Sequence, residues 1–178
     1  RIDGGARAAD LYRSANNMTE RAAALAALIS AGRPDPEIQE FYSEFRNVRL
    51  VIDMWFMLQP VNSAPDQAVA VARELAAHPA FDWKNPNRFR ALIGGLTANH
   101  AAFHAADGSG YDFLADWLLK MDPLNPQIAA RMSGAFDSWR KYDAARQDKA
   151  RAALDRILAA PDLSKNLSEM VSRIRNAT

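Results

Sequence analysis

Apolar residues recur at three- and four-residue spacing through almost the whole chain, and no stretch alternates apolar and polar residues as a half-buried strand would. The pattern therefore predicts helices, and the breaks between them carry their own chemistry. Residues before Asn16 complete a helix begun upstream. Asn17-Met18-Thr19-Glu20 has the form of a capping box, and the Ala/Leu-rich helix it opens stops at Gly32 with Pro34 just beyond. Asp35-Pro36 restarts a helix through Phe45. A very apolar helix over 48–59 ends at Pro60, and its composition places it in the interior on most sides. Further helices are predicted over 63–77, 85–98, 110–120, 126–139, 143–159 and 164–176.

Two of these starts echo one another. Asn85-Pro86 and Asn125-Pro126 lie 40 residues apart, the period of HEAT and armadillo arrays. Stacked helix pairs of that kind form curved superhelices whose inner faces bind partners. The echo favours an all-α superhelix of short helix pairs over a compact four-helix bundle. No linker is long or of low complexity, so residues 1–178 read as a single helical domain.

Composition narrows the function classes. With 49% hydrophobic and 24% charged residues the chain is globular in type, and a formal net charge of +1 gives no field for nucleic acid or a membrane surface. The absence of cysteine excludes disulfides and thiolate metal sites and is compatible with a reducing compartment. The longest apolar run, 48–58, is interrupted by Arg49 and Asp53 and is too short to span a bilayer. The chain opens Arg1-Ile2-Asp3 with neither an initiator methionine nor a signal peptide, as a processed or excised fragment would.

Four groups of residues could carry chemistry. His100 and His104 are spaced i, i+4, as zinc ligands on one helix face can be. A zinc peptidase needs His-Glu-x-x-His, with the glutamate as general base, but Ala101 stands where that glutamate would be; no catalytic metal is expected. The second group is arginine near helix starts: Arg88 and Arg90 after Pro86, and Arg131 after Pro126. Cations beside the positive end of a helix dipole are unfavourable unless an anion or a structural carboxylate answers them, and both possibilities stand. Arg88 and Arg90 are about 200° apart around a helix, so at most one faces a given ligand, whereas Gln127 and Arg131 share a face. Asp107-Gly108-Ser109-Gly110 reads as a tight connection between helices rather than a phosphate loop, since no strand precedes it. The basic and aromatic run 139–156 alternates with Asp143, Asp148 and Asp155, the mark of a solvated, ion-paired face.

Several irregular motifs occur in an order that resembles the C-terminal region of bacterial aminopeptidase N. They are Asn17-Met18-Thr19, Asp53-Met54-Trp55-Phe56 with Leu58-Gln59, Asn85-Pro86-Asn87-Arg88-Phe89-Arg90, the stretch 103–111, Asn125-Pro126-Gln127 and Tyr142-Asp143-Ala144-Ala145-Arg146-Gln147. The resemblance runs over 17–174 and implies a C-terminal helical domain that caps the active-site chamber of a broad-specificity zinc aminopeptidase. The zinc and its ligands would then belong to a thermolysin-like catalytic domain of the same parent chain. Neither His-Glu-x-x-His nor the Gly-x-Met-Glu-Asn motif that reads a free amino terminus occurs in this chain. The resemblance further implies that Arg90, Gln127 and Arg131 contact short peptide substrates, and that the parent enzyme is cytoplasmic. An autonomous helical-repeat interaction module is the alternative.

Overall fold

Side-chain oxygens open most of the helices. Asn17 Oδ1 accepts the amide of Glu20 at 2.9 Å, Asn85 Oδ1 those of Asn87 and Arg88 at 3.0 and 3.4 Å, and Asn125 Oδ1 that of Ile128 at 3.0 Å. Asp143 and Ser164 do the same for the last two helices, at 3.1 and 3.2 Å. Each bond satisfies an amide that the first helical turn leaves without a partner. The computed structural model describes residues 5–32 and 34–177. Its α-helices are α1 (Ala6–Ser14), α2 (Met18–Gly32), α3 (Asp35–Phe45), α4 (Arg49–Asn62), α5 (Ala68–Ala76), α6 (Pro86–Ala98), α7 (His100–Phe103), α8 (Ser109–Met121), α9 (Pro126–Ser133), α10 (Ala144–Leu158) and α11 (Lys165–Asn176). A 3₁₀ segment, Gly134–Lys141, follows α9.

Four boundaries differ from the sequence reading. The first helix does not enter from upstream: it starts at Ala6, behind Gly5 at φ 95°. Helix α4 runs through Pro60, because side chains hold the turn that proline weakens. Asn62 Nδ2 donates to Leu58 O at 2.8 Å and Ser63 Oγ to Gln59 O at 2.7 Å, while Asn99 Nδ2 reaches Pro60 O and Ser63 O at 3.0 and 2.9 Å. Helix α5 starts at Ala68 rather than at residue 63, since Pro65 disfavours a helical conformation at Ala64. The stretch expected as one helix over 126–139 tightens to 3₁₀ geometry at Gly134. There the three-residue spacing drives both Phe136 and Trp139 into the core.

Helices α2, α4, α6, α9 and α11 pack in succession, and α1, α3, α5, α8 and α10 each lie against this row. The result is the two-layered helical-repeat array expected from the sequence. Buried residues from Tyr12 to Ile174 form one continuous apolar cluster. Trp55 and Trp139 tie neighbouring helices in a similar way, Trp55 between the layers and Trp139 within one: each is buried, and each indole N–H donates to a helix carbonyl, Ile38 O at 2.9 Å and Ile174 O at 3.2 Å. Helix α4 is not interior on most sides. Ile52, Trp55 and Phe56 are buried, but Leu50 is 75% exposed and Met57 41% exposed. With the half-buried Met54 and Val61 they form a stripe along one outward face.

Candidate functional site

Helix α9 with its 3₁₀ extension and helix α11 run in the same direction. Their far ends are tied by Trp139 to Ile174 O and by Arg140 Nη2 to Arg175 O at 2.7 Å. Between them lies an open groove of about 760 Å³. Gln127 and Arg131 on α9 and Asp137 on the 3₁₀ segment face Asn166, Glu169 and Arg173 on α11. The structure thus brings Gln127 and Arg131 together, both exposed on one wall. Arg131 makes no ion pair among the described residues. Because the 3₁₀ segment continues the helical run of α9 to Lys141, Arg131 stands inside that run, away from either pole of its dipole. The expectation that it sits beside a positive terminus is corrected. What marks Arg131 is the groove.

Arg90 stands apart from this groove's lining. It is exposed on α6, and its Nη2 donates to Asn87 Oδ1 at 2.5 Å. A Cβ at Gly94, one turn along the same face, would lie 3.9 Å from Met132 Cε, so the face carrying Arg90 borders α9. Arg88 points the other way. Its Nε meets Asp53 Oδ1 at 2.5 Å, its Nη1 donates to Ala80 O at 2.5 Å, and its guanidinium lies 5.0 Å from the centre of the Phe56 ring. Of the two readings of these arginines, Arg88 takes the structural carboxylate. Asn85 already occupies the α6 amides, so a bare helix-terminus anion site does not form there.

The histidines do not form a metal site. His104 is buried and stacked on Tyr142, with ring centres 4.0 Å apart. Its Nδ1 is 2.8 Å from Tyr111 Oη and its Nε2 is 3.1 Å from Ser138 Oγ, so both ring nitrogens are engaged. Burial, followed by the charges of His100 and Arg146, lowers its pKa to about 4, and burial raises that of Tyr111 to about 12; the cluster is neutral near pH 7. Zinc does not fit these residues. Among the described residues no three His, Asp or Glu side chains are grouped to hold a metal ion. The neighbouring turn is a scaffold, as its sequence suggested. Asp107 Oδ1 accepts from Ser109 N and Oγ at 3.0 and 2.8 Å, Gly108 has φ +78°, and Gly110 abuts the Phe103 backbone.

The sequence reading missed Asp137, Asn166, Glu169 and Arg173. Asn166, Glu169 and Arg173 recur at i, i+3 and i+7, which marks one face of α11, but only packing shows that this face is turned toward α9.

Two layers of paired helices, with a charged groove between two members of one layer, define an all-helical repeat domain. The chain belongs to the family described as "Domain of unknown function (DUF3458_C) ARM repeats", which it matches over residues 2–176. Aminopeptidase N of Escherichia coli is 41% identical over 165 residues, covering 91% of this chain and 19% of that protein. Aminopeptidase N of Caulobacter vibrioides is 39% identical with the same coverage. The crystal structure of Legionella pneumophila aminopeptidase A in complex with aspartic acid superposes with a TM-score of 0.88 at 29% identity, over 96% of this chain and 20% of that one. The resemblance to aminopeptidase N read from the motifs is thereby borne out. The chain spans about a fifth of the length of these relatives. No helix among the described residues is long and apolar enough to cross a membrane.

Proposed function

We propose that this chain is the C-terminal domain of a zinc-dependent, broad-specificity aminopeptidase, where it caps the active-site chamber and contributes peptide contacts and access control. The observation that carries the reading is identity near 40% to proteins named aminopeptidase N, sustained over 91% of the chain. The catalytic zinc and its ligands then belong to a thermolysin-like domain elsewhere in the parent chain, which is this domain's partner, and the parent acts on short peptides in the cytoplasm. Gln127 and Arg131 offer an amide and an unpaired guanidinium to a peptide backbone or its terminal carboxylate, with Arg90 on the adjoining face of α6.

In the full-length parent, Arg90→Ala and Arg131→Ala weaken turnover of a tripeptide more than that of an aminoacyl anilide, because the anilide is too short to reach this domain. A charge-assisted contact is worth roughly 1.5–3 kcal/mol, or about ten- to hundredfold in kcat/KM. Lysine restores only part, since it lacks the planar fork. A second reading, an autonomous interaction module, draws on the exposed apolar stripe of α4. It requires both variants to leave peptide and anilide kinetics unchanged.

A further inference from the structure

The groove continues well past Arg131. From Gln127 to Asp137 its α9 wall rises about 17 Å, counting α-helical and then 3₁₀ turns. The α11 wall, from Asn166 to Arg173, rises only about 10 Å. An extended peptide advances about 3.3 Å per residue, so the groove between the two walls has room for about three residues.

Its charges are arranged across the gap rather than closed upon each other. One wall carries Arg131 and Asp137, the other Glu169 and Arg173. No ion pair within 4 Å joins the two walls. Glu169 instead meets Lys165 at 3.7 Å on its own helix, and Arg173 Nη2 reaches only Met170 Sδ, at 2.9 Å. Short ion pairs form readily elsewhere on this surface, as between Arg156 and Asp116 at 2.6 Å. Two cations and two carboxylates held apart along a groove of this length suit an extended, charged chain lying between them.

We propose that the groove beyond Arg131 is a distal subsite for peptides longer than a tripeptide. In it Arg173 receives the C-terminal carboxylate, and Asp137 with Glu169 receives a basic side chain just before that terminus. This assignment rests on the aminopeptidase reading and adds to it a substrate class: longer peptides ending in a basic residue followed by a free carboxylate.

The test uses the full-length parent enzyme and hexapeptides with arginine at the fifth position, with free or amidated C-termini. The free acid is the better substrate, by about tenfold in kcat/KM, and Arg173→Gln collapses that ratio toward one. Asp137→Asn and Glu169→Gln together remove the preference for arginine over norleucine at the fifth position. Arg173, Asp137 and Glu169 are exposed, so the variants keep the fold, and thermal melting verifies it. A free-acid to amide ratio that Arg173→Gln leaves unmoved overturns the subsite. So does a ratio abolished by Arg131→Ala with Arg173 intact, which would end the peptide at the near end of the groove. Hydrolysis of peptides with either of these results removes the subsite alone. An absence of hydrolysis of any peptide removes the aminopeptidase reading and the subsite together.

Discussion

Arg88→Ala separates the arginine that holds the fold from those that face outward. The Arg88 side chain is 11% exposed and its partner Asp53 15% exposed, so solvent screens the pair little. Truncation leaves the Asp53 carboxylate without its cation and the Ala80 carbonyl without its donor, and it removes the guanidinium from the face of Phe56. Breaking a buried pair from one side costs about 3–5 kcal/mol, and the residual exposure here places the loss near the lower end, at about 3 kcal/mol. Asp53→Asn keeps the shape and an acceptor and costs about 1–2 kcal/mol. The double-mutant cycle then returns a coupling of roughly 1.5–3 kcal/mol. Arg90→Ala, removing one exposed bond to Asn87, stays within about 0.5 kcal/mol. Urea unfolding of the four variants, followed by helical circular dichroism, measures all of these. A loss below about 1 kcal/mol for Arg88→Ala, or equal losses for Arg88→Ala and Arg90→Ala, would refute the structural assignment of Arg88.

Trp55→Ala, which empties a site packed by Tyr42, Phe56 and His78, costs about 3–5 kcal/mol in the same assay, while Trp55→Phe costs less, about 1–2 kcal/mol for the lost bond and edge. His104, depressed from 6.5 to about 4 in the folded chain, is protonated first in the unfolded one. Stability therefore falls as pH drops from about 6.5 to about 4, by up to ~3 kcal/mol, with His78, lowered by burial and Arg88, acting in the same direction. Replacing His104 with Asn flattens that part of the profile. Gly110→Ala places a Cβ 2.5 Å from Phe103 O and 2.8 Å from its Cα, an overlap with backbone that costs about 1–3 kcal/mol and lowers the melting temperature.

Helix starts were legible in this chain where a side chain caps them, because that signal is local; the uncapped starts of α1 and α5 were not. Asn17, Asn85, Asn125, Asp143 and Ser164 each act within three residues, and all five cap the helices that follow them. Helix ends were less legible where tertiary contacts intervene. Pro60 reads as a stop, yet Asn99, 39 residues away, helps to hold the turn around it. The break after Ser133 was hidden for a similar reason: only the burial of Phe136 and Trp139 shows why the helix tightens at Gly134. The same limit applies to α4. Its apolar composition suggests burial all round, but Leu50, Met54, Met57 and Val61 share one face, and the row of helices leaves that face open.

The arginines show how far local electrostatics reaches in choosing a site. Helix periodicity already separated Arg88 from Arg90 by about 200°, so their different fates follow from geometry that the sequence contains. Which of them turned inward depended on Asp53, 35 residues away on α4, which no spacing rule identifies. For Arg131 the dipole argument gave a reason that the structure does not bear out. The arginine lies more than one turn inside a helical run that continues to Lys141, and the dipole neither strains it nor requires an anion. Its candidacy comes instead from lacking a carboxylate partner while facing a groove whose other wall carries Glu169 and Arg173. The proposed contact needs a cation that no carboxylate of this surface holds, as aspartates hold Arg146, Arg151, Arg156 and Arg175. Arg131 meets that condition with an open groove beside it, whereas Arg88, the most enclosed of the three, does not.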